Sequence, residues 1–326
     1  MTDASAAPKT LQEWQVVRGQ IRAKLWSMLG YMPPIFTPQP TVVSREQRDG
    51  YVLEKIQYEN GAGADVPGFV LIPDGAVHAP AILYNHAHGG DYTIGKKEIF
   101  EDRYDLHNQI GVELVRQGYV VLAIDAYMFD ERQGKGPGGP EEVGKEAELT
   151  LAKKFLWEGS TLMGMLVRDD LLALNYLLAR PEIDPERVGT TGMSLGGTRT
   201  TWIAALDERI KVAIPVAQMN RYEEFAASGK YAEHAIYYYV PGILRSGVSM
   251  EHIAALTAPR PQLILIGDSD SLSPIDGVHI IDDFNQQIYG LYGASDQFKT
   301  IIEAGIAHQY TPTMFAATLD WFRRYL

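Results

Sequence analysis

The chain of 326 residues contains no cysteine, which excludes disulfide bonds, thiolate metal ligands and a cysteine nucleophile. It also has no uninterrupted apolar stretch of the roughly 18 residues that a membrane-spanning helix needs. Positive charge is scarce, since 29 Lys and Arg residues against 41 Asp and Glu residues give a formal net charge of −12. These absences disfavour a membrane partner and a nucleic-acid partner, because binding to phosphate backbones needs a basic surface.

The first ten residues lack the basic and apolar segments of a secretory signal peptide. We therefore expect a cytoplasmic protein. The apolar fraction of 46% is ordinary for a globular protein. We expect one domain over residues 1–326, with residues 10–30 forming an N-terminal cap helix that packs on its outside.

Hydrophobic periodicity predicts a helix over 11–29 and strands over 41–48, 51–59 and 66–72 at an antiparallel edge. From residue 81 onward, strands and helices alternate, which predicts a doubly wound, mostly parallel sheet with helices on both faces. The further predicted strands are 81–84, 119–124, 187–192, 212–216, 262–266 and 299–303. The further predicted helices are 106–117, 149–179 with breaks near Gly159 and Gly164, 198–206, 275–289 and 313–325.

Residues 219–250 do not follow this alternation and are rich in tyrosine. An insertion at this point would lie above the carboxyl edge of the sheet, where open α/β sheets bind their ligands. We interpret the segment as a lid and expect Tyr222, Tyr237 and Tyr238 to contact a substrate. The alternative is a helical insertion whose tyrosines pack against the body of the protein.

The motif Gly192-Met193-Ser194-Leu195-Gly196 stands between a predicted strand and a predicted helix. This is the pattern of a nucleophile elbow, a tight strand-to-helix turn that exposes one serine hydroxyl. The two glycines face each other across the turn, where a Cβ atom would clash. We expect Ser194 to be a nucleophile. The alternative is an ordinary glycine-rich turn that caps a helix.

A serine nucleophile needs an acid and a histidine further along the chain. Asp268 and Asp270 both follow the predicted strand 262–266, and we choose Asp270, while Glu223 is a further alternative. His308 precedes the last predicted helix on a loop and is our candidate base. His279 lies inside a predicted helix, which favours a packing or surface role.

The intermediate of acyl transfer needs hydrogen-bond donors for its oxyanion. We assign the backbone N–H of Leu195 and that of His88, with Ala87 as the alternative to His88. We expect His86 to contact the substrate. Two histidines at this spacing, without a carboxylate nearby in sequence, are a weak metal signal, so we expect neither a metal nor another cofactor.

Two further groups of charges are assigned structural roles. Lys96, Lys97, Glu98 and the charges up to Arg103 are expected to form a solvated helix face. Arg199 follows the nucleophile motif and is expected to be a structural ion-pair partner.

Several of these segments together resemble the dienelactone hydrolase and acetyl xylan esterase-like group of α/β-hydrolases. They are 181–189 (Pro-Glu-Ile-Asp-Pro-Glu-Arg-Val-Gly), 192–200, 205–210, 239–242 (Tyr-Val-Pro-Gly), 258–261 (Ala-Pro-Arg-Pro), 267–270 and a histidine before Trp321-Phe322. The resemblance implies an α/β-hydrolase fold with Ser194, Asp270 and His308 as nucleophile, acid and base. In one departure, the His-Gly pair usual after the oxyanion strand is His86-Ala87 here.

These observations predict a serine hydrolase that cleaves a small-molecule carboxylic ester with a short acyl group, through an acyl-enzyme on Ser194. One alternative is hydrolysis of an amide, thioester, lactone or carbon–carbon bond by the same residues. Another is a non-catalytic ligand-binding protein with this fold. The N-terminal helix could mediate a homo-oligomer.

Overall fold

The computed structural model describes residues 7–102 and 109–326. Within these ranges the strands form one sheet. They are β1 Thr41–Arg48, β2 Tyr51–Glu59, β3 Asp65–Pro73, β4 Ala79–Asn85, β5 Val120–Ile124, β6 Ile183–Met193, β7 Val212–Val216, β8 Gln262–Gly267 and β9 Phe298–Glu303. The α-helices are α1 Leu11–Leu29, α2 Ile110–Arg116, α3 Gly144–Trp157, α4 Leu162–Leu178, α5 Leu195–Leu206, α6 Tyr222–Ser228, α7 Ile243–Ser246, α8 Met250–Ala255, α9 Ile275–Leu291 and α10 Pro312–Tyr325.

The strand order is β1-β2-β3-β5-β4-β6-β7-β8-β9. The pairs β1–β2, β2–β3 and β3–β5 are antiparallel, and every pair from β5–β4 to β8–β9 is parallel. The carboxyl ends of β4, β6, β8 and β9 therefore meet at the same edge of the sheet. The loops that carry the predicted site residues follow these four strands.

Helices cover both faces of the sheet, and each face has its own apolar core. Trp14 of α1, Leu172 of α4 and Trp202 of α5 are fully buried in one core. Leu114 of α2 and Phe322 of α10 are fully buried in the other. The prediction of a mostly parallel sheet between helices is thus confirmed. Among the described helices, none has both the length and the apolar character needed to cross a bilayer.

Most predicted elements appear within a few residues of their expected bounds, and the larger differences concern helix ends and the start of β6, which is Ile183 rather than residue 187. The predicted helix 149–179 consists of α3 and α4, which are separated near Gly159. Gly164 does not break the helix but lies inside α4, where a Cβ atom would overlap the carbonyl oxygen of Leu29. The helix α5 begins at Leu195 rather than residue 198. The predicted start of the helix 106–117 lies outside the described residues.

The prediction that residues 96–103 form a solvated helix face is wrong for Lys96 and Glu98. Lys96 is fully buried, and its Nζ lies 2.8 Å from Asp125, 2.8 Å from Asp130 and 2.6 Å from Glu131. These three carboxylates are close enough together to suit a cation, and the Lys96 ammonium lies among them. Glu98, also buried, accepts a 2.6 Å hydrogen bond from the Tyr84 hydroxyl. Arg103 lies outside the described residues.

The expectation for Arg199 is confirmed. Its guanidinium is buried and pairs with Asp170 of α4, at 2.9 Å between Nε and Oδ2. The pair joins α4 to α5 beneath the nucleophile motif.

Candidate active site

Ser194 lies at the turn between β6 and α5, with a positive φ of 57°. A positive φ is rare for residues other than glycine and is found at strained functional turns. The Ser194 N–H donates a 2.9 Å hydrogen bond to the Val216 carbonyl of β7, which fixes the turn to the sheet. A Cβ atom at Gly192 or Gly196 would overlap the carbonyl oxygen of Asn85. The sequence therefore needs glycine on both sides of the serine because β4 passes directly against this turn.

Asp270 follows β8 and orients His308, which follows β9. The Asp270 carboxylate is 2% exposed, and its Oδ1 accepts a 2.9 Å hydrogen bond from the Leu272 N–H. Its Oδ2 lies 2.8 Å from His308 Nδ1. An ionised carboxylate can only accept hydrogen bonds, so the proton of a neutral His308 ring resides on Nδ1. Nε2 of this ring is then free to take a proton.

The other acids considered from the sequence contact other groups, and the other histidine lies on the surface. Asp268 Oδ1 instead accepts hydrogen bonds from the Gly305 N–H at 2.7 Å and the Ser269 hydroxyl at 2.9 Å. Glu223 accepts a 2.5 Å hydrogen bond from the Ser249 hydroxyl. His279 is exposed on α9. Asp268 thus ties the loop after β8 to the loop after β9, while Asp270 contacts the histidine.

Ser194 and His308 line one cavity of about 590 Å³ at the carboxyl edge of the sheet. The loop after β4 contributes His88 and Tyr92 to its wall, and α3 contributes Glu148. Residues of the segment 219–250 form much of the remaining wall, among them Tyr231, His234, Tyr237 and Tyr239. A serine hydroxyl and a histidine oriented by a buried carboxylate are therefore brought together in an accessible cavity.

The backbone N–H groups of Ala87 and His88, in the loop after β4, have different surroundings. The Ala87 N–H lies 3.1 Å from both carboxylate oxygens of Glu98, so it is already engaged. His88 lies on the cavity wall, and the N–H of Leu195 belongs to the first turn of α5, where an N–H has no partner within the helix. The His88 and Leu195 N–H groups remain the candidate oxyanion donors.

The structure does not place His86 at the cavity, contrary to our expectation of a substrate contact. Its ring is fully buried, with Nδ1 2.8 Å from the Ala87 carbonyl. Nε2 accepts a 3.0 Å hydrogen bond from the Ala126 N–H. Burial, with a contribution from the positive charge of Arg199, holds the pKa of His86 well below its usual value. The ring therefore stays neutral and fastens the loop after β4 to the end of β5.

Of the three tyrosines expected to contact a substrate, the structure brings only Tyr237 to the wall of the Ser194 cavity. Tyr222 and Tyr238 line a separate, smaller cavity of about 320 Å³. The Tyr238 hydroxyl donates a 3.0 Å hydrogen bond to the Asn220 carbonyl, and its ring packs against that of Tyr222 with centroids 5.2 Å apart. The interpretation of these two tyrosines as packing residues is therefore the better one.

Glu148 and His234 are among the polar residues of the cavity that the sequence analysis missed. Glu148 is 3% exposed and accepts a 2.9 Å hydrogen bond from the Tyr92 hydroxyl. His234 stacks on Tyr238 at 4.2 Å, and its Nε2 lies 3.2 Å from the Leu272 carbonyl. Burial lowers the pKa of His234 to about 4. Neither residue belongs to a short motif, and only the folded chain brings them to Ser194.

The parallel sheet, the strained serine turn at the end of its central strand and the flanking helices define a protein of the α/β-hydrolase fold. A model of the dienelactone hydrolase family matches residues 66–290, and the chain belongs to that family. This membership confirms the resemblance inferred from the sequence and the prediction of a hydrolase of the carboxylic-ester class.

Relatives and solved structures agree with this assignment. The chain is 33% identical over 290 residues to the "Putative hydrolase YtaP" of Bacillus subtilis (strain 168). The aligned region covers 88% of this chain and 93% of that protein. A "putative acetyl xylan esterase" from Bacteroides fragilis NCTC 9343 superposes with a TM-score of 0.72 at 20% identity, over 92% of this chain and 77% of that one. A glucuronoyl esterase from Solibacter usitatus superposes with a TM-score of 0.70 at 17% identity, over 99% of this chain and 97% of that one. At these identities the two structures show the shared fold.

Proposed function

We propose that this protein is a serine hydrolase that cleaves a carboxylic ester with a short acyl group. The observation that carries the proposal is the convergence of Ser194 and His308 on one cavity, with His308 Nδ1 2.8 Å from the buried Asp270. Membership of a hydrolase family supports the same reaction class. The reaction needs no cofactor, because nucleophile, base and oxyanion donors all come from the chain.

In the proposed mechanism, His308 Nε2 takes the Ser194 proton while Oγ attacks the ester carbonyl. The resulting oxyanion accepts hydrogen bonds from the N–H groups of Leu195 and His88. Collapse of this intermediate expels the alcohol, which takes the proton from His308, and leaves an acyl-enzyme on Ser194. His308 then takes a proton from water as its oxygen attacks the acyl-enzyme, and collapse of the second oxyanion breaks the Oγ–acyl bond, returns the proton to Ser194 and releases the carboxylic acid. Asp270 stabilises the imidazolium formed in each half-reaction.

The composition of the cavity wall supports a small acyl group. Tyrosine, histidine and glutamate make up half of the residues that line the Ser194 cavity, whereas a long acyl chain needs an extended aliphatic channel. We propose that the segment 219–250 serves as the lid, because several of its residues, including Tyr237, lie on this wall. We therefore expect the substrate to be a small ester that carries polar groups.

The test is hydrolysis of p-nitrophenyl esters, from acetate to octanoate, by the wild type and by Ser194→Ala. We expect turnover that falls with chain length and a loss of several orders of magnitude in kcat for the variant, because its nucleophile is missing. Thermal unfolding of both proteins is the control, since removing one hydroxyl at this turn should leave the fold intact.

Wild-type turnover in Ser194→Ala would contradict the proposal. If the folded wild type cleaves none of these esters but is labelled by a serine-directed phosphonate, the result would favour hydrolysis of an amide, thioester, lactone or carbon–carbon bond. Failure of both reactions would favour a non-catalytic binding protein with this fold.

A further inference from the structure

The proposed mechanism leaves unused the most deeply buried carboxylate of the Ser194 cavity wall. Glu148 projects from α3 and is 3% exposed. Its Oε2 accepts a 2.9 Å hydrogen bond from the Tyr92 hydroxyl, and its Oε1 lies 3.3 Å from Nε2 of His88. Burying a carboxylate is costly unless donors compensate for the lost water, so a glutamate here calls for an explanation.

The hydrogen bonds of His88 determine what Glu148 does to that ring. The Gly90 N–H donates a 3.0 Å hydrogen bond to Nδ1, so this nitrogen is an acceptor. In the neutral ring the proton is then on Nε2, from which it is donated to Glu148. The ring is held in addition by three aromatic neighbours. They are Tyr92, Phe129 and Tyr237, with centroid distances of 4.9, 5.1 and 5.9 Å.

We propose that Glu148 is a positioning residue that fixes the loop after β4 so that the His88 N–H points at the developing oxyanion. This inference rests on the proposed function. The His88 ring is the link, because Glu148 holds its Nε2 from α3 while Gly90 holds its Nδ1 from within the loop. A backbone donor stabilises a transition state only where it is held in place before the reaction, since reorganisation during the reaction would cost energy.

The geometry favours this role over a direct one in proton transfer. Both carboxylate oxygens of Glu148 accept hydrogen bonds from protein groups, and Asp270 already orients the base. A glutamine has an oxygen to accept from His88 and an amide N–H to donate to the Tyr92 oxygen. Glu148→Gln should therefore keep the position of the loop, whereas Glu148→Ala should release it.

The experiment compares four variants with the wild type. They are Glu148→Ala, Glu148→Gln, His88→Ala and the double variant that combines Glu148→Ala with His88→Ala. The His88→Ala variant keeps the backbone N–H and removes only the ring that Glu148 holds. Glu146→Ala is the matched control, because Glu146 lies exposed on the same helix. Titration with a serine-directed phosphonate gives the concentration of active enzyme. The readouts are kcat/KM for p-nitrophenyl acetate and the inhibition constant of a trifluoromethyl ketone, which forms a tetrahedral adduct with a serine.

We expect Glu148→Ala and His88→Ala each to lower kcat/KM by about 10- to 100-fold, less than the loss of an oxyanion donor itself. Inhibition by the ketone should weaken by a similar factor, whereas inhibition by acetate, a product without the oxyanion, should change little. The double variant should lose no more than the worse single variant, because both changes break one link. Glu148→Gln should retain most of the activity.

Three results would overturn the proposal. They are additive losses in the double variant, a Glu148→Gln defect as large as that of Glu148→Ala, or a lower melting temperature with unchanged kcat/KM and ketone inhibition. The first would show that Glu148 and His88 act independently, the second that the charge of the carboxylate is needed, and the third that Glu148 has a purely structural role. A failure of the proposed function would be visible separately, as a wild type without turnover that depends on Ser194.

Discussion

At the residue scale, Asp268 and Asp270 follow the same strand in the sequence but differ in burial and in hydrogen-bond partners. Asp270 is buried and lies 2.8 Å from His308, whereas Asp268 accepts a hydrogen bond from the Gly305 backbone. The first residue can act on the chemistry of the histidine, and the second can only hold two loops together. Substituting each by asparagine separates the two roles, because asparagine keeps the size and one acceptor oxygen.

We predict that Asp270→Asn lowers kcat by about 10³- to 10⁴-fold, since an amide can donate to Nδ1 and so favours the wrong tautomer of His308. Asp268→Asn should change kcat less than about threefold, because its remaining oxygen can still accept from Gly305. Steady-state kinetics of both variants with p-nitrophenyl acetate test this. Equal losses in the two variants would show that Asp270 is not the acid of the site.

The sequence predicts Ser194, Asp270 and His308 as candidate site residues because each follows a strand in a fixed order. It does not predict the burial of Lys96, whose partners Asp125 and Glu131 come from a loop beyond the next strand. Glu148 is missed for a related reason, since a glutamate in an amphipathic helix is usually on its exposed side. The compensating donors Tyr92 and His88 become its neighbours only in the folded chain.

At the scale of elements, the close approach of β4 to the β6–α5 turn determines where glycine is required. A Cβ atom at Gly192 would overlap the Asn85 carbonyl oxygen, which lies in the backbone of β4 and cannot move alone. Gly19 offers a contrast, because it is exposed on α1 and a Cβ atom there would meet no atom within 4 Å. The same substitution should therefore have opposite effects at these two positions.

We predict that Gly192→Ala lowers the free energy of unfolding by more than about 3 kcal/mol or prevents folding, as overlap with fixed backbone does. Gly19→Ala should raise it by up to about 1 kcal/mol, because alanine is the better helix former. Denaturant unfolding of the two variants beside the wild type measures both changes. Stability of Gly192→Ala close to that of the wild type would show that the turn can open.

Two elements, α1 and β7, have the bounds that the sequence analysis predicts. Element predictions are weakest in the segment 219–250, where short helices alternate with loops. No period relates Tyr222, Tyr237 and Tyr238, so the sequence cannot tell which side chain faces the cavity. Packing decides it, since Tyr238 stacks on His234 and, of these three tyrosines, Tyr237 alone lines the Ser194 cavity.

At the scale of the whole molecule, two buried histidines couple folding to pH. Burial lowers the pKa of both His86 and His234, in the latter case to about 4. The unfolded chain protonates these rings near their ordinary pKa of about 6.5. Between the two values of each histidine the unfolded state binds more protons than the folded state, so the contribution of these two histidines to stability falls as the pH falls below about 6.5.

We predict that His234 accounts for about 2 kcal/mol of the stability lost between pH 7 and pH 5, from its shift in pKa. His234→Gln should remove this part, so its free energy of unfolding should change less over this pH range than that of the wild type. The control is His279→Gln, because that ring is exposed on α9. Equal pH dependence in the His234→Gln variant and the wild type would refute the prediction.

The positions of Ser194 after β6, Asp270 after β8 and His308 after β9 also impose an order on biosynthesis. A ribosome releases the serine turn long before the histidine, and β9 joins the sheet only at its outer edge. While the later strands are still being translated, the nascent chain carries the proposed nucleophile without its base. The proposed site is therefore complete only once β9 has joined the sheet and the loop that carries His308 has followed it.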